Sequence, residues 1–89
     1  MDTRVAVISI IVERAESVGA LNELLHTYGT YIIGRMGLPY RAKQIHIVSI
    51  AIDAPQDVIN TLTGSLGNLE GVTAKAAFSK RKRQLNIHS

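Results

Sequence analysis

The chain has no cysteine and no tryptophan, one phenylalanine, three tyrosines and two prolines in 89 residues. Without cysteine there is no disulfide framework, no thiolate metal site and no thiol nucleophile, which excludes small secreted scaffolds, zinc ribbons and thiol enzymes. With so few aromatics, aliphatic side chains must fill the core. No Gly-rich stretch precedes a helix, so there is no phosphate-binding loop. Neither a Ser-His-Asp set nor a pair of facing carboxylates is recognisable, and an enzyme is not expected. Glu13 and Glu16 instead stand where they would complement the dipole of a helix. The longest apolar run, residues 5–12, falls far short of the ~20 residues that span a bilayer as a helix. A single Arg4 precedes it and no small-residue cleavage pattern follows. A cytoplasmic domain with no membrane partner is therefore expected.

The charge is unevenly placed. The formal net charge is +3, but Lys80, Arg81, Lys82 and Arg83 hold four of the ten basic residues. Residues 1–79 are left with six basic against seven acidic side chains. A surface that binds a nucleic-acid backbone carries its lysines and arginines on the fold. Nucleic acid or an acidic partner is thus expected only through the tail. That tail, residues 80–89, has no hydrophobic period and reads as a flexible appendage to one domain at residues 1–79.

What is present is strongly patterned, with hydrophobic residues at 46%. Residues 4–12 are β-branched and apolar on both alternating faces, as in a central strand. Over residues 16–28, Val18, Leu21, Leu25 and Tyr28 recur at helical spacing, with Gly29 as a stop. Residues 30–38 alternate again, with Ile32, Gly34, Met36 and Leu38 on one face and Tyr31, Ile33, Arg35 and Gly37 on the other. A connection from Pro39 to Lys43 leads to a strand at 44–52. Asp53, Pro55 and Gln56 read as a helix cap, first turn and capping box. Val58, Ile59, Leu62 and Leu66 give that helix its apolar face, and Gly67 suits its C-terminal stop. Gly71 opens a last strand with Val72, Ala74, Ala76 and Phe78 inward. The order βαββαβ predicts an α+β, ferredoxin-like fold: a four-stranded antiparallel sheet with two helices on one face.

Two helices cover one face of such a sheet. Ala6, Ile8, Ile10, Val12, Val48, Ile50 and Ile52 are assigned to the helix side. The open side then carries Val5, Val7, Ser9 and Ile11, with Ile45, Ile47, Ser49 and Ala51 from the third strand and Tyr31 and Ile33 from the second. A solvated sheet face should be polar, and this one is apolar with small serines at its centre. A homodimer or homotetramer is expected, through stacked open faces, paired sheet edges or both.

Arg35 is the unusual residue of that open face, with Gly37 leaving room beside it and Tyr40 and Arg41 following Pro39. Arginine suits planar recognition of carboxylate or phosphate. Buried, it needs a partner, either an acidic residue of a neighbouring subunit or a small anionic ligand. Asn22 and His26, four apart, share one side of the first helix and can offer an amide and an imidazole to a polar ligand, or simply form its solvated flank. The three histidines, His26, His46 and His88, lack a shared geometry. No metal or other cofactor is expected, although His46 can meet its own copy across a symmetric interface.

The segments Asn22-Glu23-Leu24-Leu25-His26, Gly34-Arg35-Met36-Gly37-Leu38-Pro39-Tyr40-Arg41 and Leu62-Thr63-Gly64-Ser65-Leu66-Gly67-Asn68-Leu69-Glu70-Gly71-Val72 resemble the iron-only hydrogenase system regulators. These are stand-alone ACT-like domains similar to the C-terminal domain of nickel-responsive regulators. The resemblance runs from about residue 4 to residue 79. It implies the same ferredoxin-like fold, oligomerisation, a regulatory role and a small ligand at a subunit interface. Nickel sensing does not carry over, because those regulators use several histidines and a cysteine where this chain has His46. No ribbon-helix-helix segment is expected before Arg4. The loop 13–17 also lacks the Asp-x-x-Gly arrangement of amino-acid-binding ACT domains.

Overall fold

The computed structural model describes residues 2–80. Strand β1 (Arg4–Val12) leads through a 3-10 turn (Ala15–Ser17) into α1 (Val18–Thr27). A second 3-10 turn (Gly29–Tyr31) precedes β2 (Ile32–Tyr40), and a third (Arg41–Lys43) joins β2 to β3 (Ile45–Ala54). Helix α2 (Gln56–Gly67) and β4 (Val72–Phe78) complete the domain. The strand order is β2-β3-β1-β4 with every neighbour antiparallel, which is the ferredoxin-like arrangement.

The core lies between the sheet and the helices. Ala6, Ile8, Ile10 and Val12 of β1 and Val48, Ile50, Ile52 and Ala54 of β3 meet Leu21 and Leu25 of α1 and Ile59, Leu62 and Leu66 of α2. The aliphatic periods therefore act as expected: one face of each central strand and one stripe of each helix bury together.

Several ends differ from expectation. Strand β3 runs on through Asp53, so Asp53 does not cap α2; Pro55 holds the N-cap position and the Asp57 carboxylate accepts the Val58 N–H at 2.9 Å. Gln56 does not close a capping box either, because its Oε1 accepts from Arg4 Nη1 at 3.1 Å. Gly67 remains helical, and the left-handed glycine is Gly71, at φ +72°. Glu16 lies ahead of α1 in the 3-10 turn, facing Arg14 at 3.5 Å. The hydrogen bond to its own backbone, and then the Arg14 guanidinium, hold its carboxyl below the ordinary value.

The entry to α1 is fastened to the turn before β4. Ser17, buried, donates to the Glu70 carbonyl at 2.6 Å, Glu13 N–H donates to the Gly71 carbonyl at 2.7 Å, and Arg14 pairs with Glu70 at 3.2 Å. A Cβ on Gly71 would lie 2.9 Å from the Arg14 Cβ and closer still to its Cγ. Glycine is required there twice over, for its backbone angle and for this close approach.

The second strand corrects the face assignment. Its pairing with β3 shifts between Ile32 and Gly34, a β-bulge at Ile33. Beyond the bulge Arg35 stands beside Ile50 and Gly37 beside Val48, both on the helix side, while Gly34, Met36, Leu38 and Tyr40 stand beside Ala51, Ser49, Ile47 and Ile45 on the open side. Arg35 and Gly37 are therefore not on the open face. Tyr31 is not there either: it belongs to the 3-10 turn before β2 and packs against the buried core. One inserted residue is enough, since the side-chain period of a strand is two.

Candidate functional site

The bulge brings three of the expected ligand-site residues together. On the helix side of the sheet, Arg35 reaches α1 and donates from Nη2 to the Asn22 Oδ1 at 2.9 Å. Gly37, without a side chain, leaves the space beside Val48 open, and a Cβ built on it meets nothing within 4 Å. The result is a cleft of about 260 Å³ between α1 and the β2–β3 end of the sheet. Val18 and Leu21 of α1 and Val48 of β3 supply its apolar wall, and Asn22, Arg35 and His46 its polar groups.

His46 enters this cleft through register. It stands between Val12 of β1 and Pro39 of β2, on the same side as Val48 and Ile50. The alternation that buries Val48, Ile50 and Ile52 points His46 the same way, so its position is readable from the sequence. The half-buried imidazole has no hydrogen-bond partner among the described residues.

The other expected ligand residues stand apart. Tyr40 lies on the open face beside Ile45, and Arg41 is exposed in the turn after β2. His26 borders a neighbouring surface hollow with Asn22, Glu23 and Thr27, so Asn22 is shared by the two depressions and His26 is not in the cleft. Among the described residues, no three His, Asp or Glu side chains converge as a metal site. Lys80 is exposed at the end of the described chain, and Arg81, Lys82 and Arg83, with the rest of the basic tail, lie outside the described residues. No helix among the described residues is long and apolar enough to cross a membrane.

The two faces of the sheet contrast. Of the large hydrophobic side chains left exposed among the described residues, Val5, Val7, Ile11, Met36, Leu38 and Tyr40 all stand at open-side register positions, and the seventh, Ile33, is the bulged residue. Ser9, Ser49 and Met36 form a row across the middle of this face, with Ile45, Ile47 and Ala51 along β3. Its only charged strand positions among the described residues are Asp53, at the end of β3, and Lys75, on the edge strand β4.

Comparison with known proteins follows the same lines. Residues 4–76 match the TM1266-like family, described as "Iron-only hydrogenase system regulator, putative". The solved structure of uncharacterized protein TM1266 from Thermotoga maritima superposes with a TM-score of 0.85 at 31% sequence identity, over 89% of this chain and 100% of that one. A search of curated proteins finds no match. With the family match spanning most of the sequence and the same fold in TM1266, the chain belongs to the TM1266-like family of iron-only hydrogenase system regulators.

Proposed function

We propose that the chain is a non-enzymatic regulatory module that works as a homo-oligomer and senses a small ligand in the cleft between α1 and β2. The observation that carries this reading is the segregation of exposed apolar side chains. Val7 and Ile11 are each 42% exposed, Leu38 is 54% and Met36 63%, all on one sheet face. An apolar sheet face is stable in water when something covers it, at ~25 cal/mol for each Å² removed from water. A second copy supplies a surface of the same character, and the Ser9–Ser49 pair at its centre allows close approach. Family membership supports the regulatory role, and the cleft supplies the place for a signal.

Native mass spectrometry with a denatured control tests this reading. A dimer or tetramer carrying additional non-covalent mass is the expected result. A bare monomer across the accessible concentration range would sink it.

A further inference from the structure

Resting on that reading, we infer that the cleft is built for a small monocarboxylate with a short aliphatic body and no ammonium group. The polar end is set by Arg35. Its side chain bonds to Asn22, and no carboxylate among the described residues lies within ion-pair distance of it. Arg4 makes the useful contrast. Its guanidinium also borders a surface hollow, but it already donates to Gln56 at 3.1 Å and to the Ser79 carbonyl at 2.9 Å, and it lies 4.8 Å from the Phe78 ring centroid. Arg4 is occupied in fastening the ends of β1, β4 and α2; Arg35, exposed along the cleft with one hydrogen bond to Asn22, has most of its fork of donors open to solvent and to a ligand.

The neighbours of Arg35 add donors and no negative charge. Asn22 spends its carbonyl oxygen on Arg35, which leaves its NH₂ group free to donate. His46 presents in the same cleft an imidazole with no hydrogen-bond partner among the described residues. Among the described residues, Arg35 is the one lysine or arginine lining the cleft, and its planar fork of donors matches a single carboxylate. No Asp or Glu among the described residues lines the cleft, and Glu23 borders the next hollow instead. An α-ammonium group would therefore meet no carboxylate in the cleft to pair with, which disfavours an amino acid.

Size and wall give the rest. A cleft of about 260 Å³ lies below the ~300–1,000 Å³ typical of sites for drug-sized ligands. Val18, Leu21 and Val48 offer an aliphatic wall, and the missing side chain at Gly37 leaves the space a short branched chain would fill.

The test is a set of ¹H–¹⁵N spectra of the full chain titrated with isovalerate, isovaleramide, leucine and inorganic phosphate. Isovalerate should shift the amides of Gly37 and Val48, the Arg35 Nε–H and the His46 ring, saturably. Arg35→Gln should weaken this binding by at least ~10-fold, the loss of a charge-assisted hydrogen bond. Gly37→Val places a branched side chain where nothing obstructs it, so this variant should fold and lose the response; it covers the case in which Arg35→Gln does not fold. Equal binding of isovaleramide overturns carboxylate recognition, and equal or tighter binding of leucine overturns exclusion of an ammonium group. Binding of phosphate alone overturns the ligand class and leaves the sensing reading standing. No saturable shift at the cleft with any of the four probes overturns both.

Discussion

Ile10 and Ile11 are adjacent residues of the same type on the same strand, yet Ile10 is fully buried and Ile11 is 42% exposed. The difference lies in which face the pleat gives each. Val48, Ile50 and Ile52 beside Ile47, Ser49 and Ala51 repeat the contrast on β3, where the first set is buried and the second half-buried. Both faces of the central strands are aliphatic, as in sheets covered on both sides, but the described residues supply helices for only one. The open face therefore has the composition of a core layer left uncovered by the described residues, and the proposed assembly rests on it.

The sharpest way to break that contrast is to truncate both isoleucines. Ile10→Ala removes a fully buried side chain and should cost ~2–5 kcal/mol in urea unfolding, independent of protein concentration. Ile11→Ala should cost less than ~1 kcal/mol at high dilution, where its residue is on the surface, and progressively more as concentration rises. A concentration-independent loss as large as that of Ile10→Ala would show that the face is covered from within the same chain.

Gly71→Ala comes next. It forces a side chain onto a left-handed backbone and into Arg14, disturbing the junction that holds the start of α1. Thermal unfolding should show a loss of ~1–3 kcal/mol.

How far the site can be seen in the sequence follows from the same strands. Elements, order and core are legible because aliphatic residues keep strict periods of two and 3.6 over most of the chain. The face of β2 is not. Its alternation continues smoothly through Ile33, and only Gly34 hints that the strand departs from regular pairing. The bulge reverses every side chain after it, placing Met36, Leu38 and Tyr40 on the open face and Arg35 and Gly37 opposite α1. The pairing of Arg35 with Asn22 depends on that reversal, so no spacing rule supplies it. His46 is legible by alternation from Val48. The capping of α2 escapes a sequence reading because β3 extends two residues further than its β-branched run, and the ends of elements commonly shift by a residue or two.

Two smaller effects sharpen the picture at the margins. Gln44 ends the turn before β3 at φ 56°, a left-handed position for a residue with a side chain. Gln44→Gly should stabilise by less than ~1 kcal/mol in thermal unfolding, the relief of the backbone angle being partly offset by the freedom glycine gains in the unfolded chain. Glu16 contributes least. Its carboxyl is held below the ordinary value in the fold, so its contribution is present above the unfolded-state value and is lost as pH falls through the folded one. Being fully exposed, it is well screened, and Glu16→Gln should change only the acid limb of a stability–pH curve, and only slightly.

The most direct measurement is sedimentation velocity over a concentration series, with wild type and Val7→Glu side by side and far-UV circular dichroism to show that both are folded. Val7 stands beside Ala51 and Ala77 on the open face, where a carboxylate is harmless in water and costly when covered. The uncovered-layer account predicts an oligomeric wild type and a folded, monomeric Val7→Glu. A monomeric wild type, or a variant that assembles as well as wild type does, would contradict it.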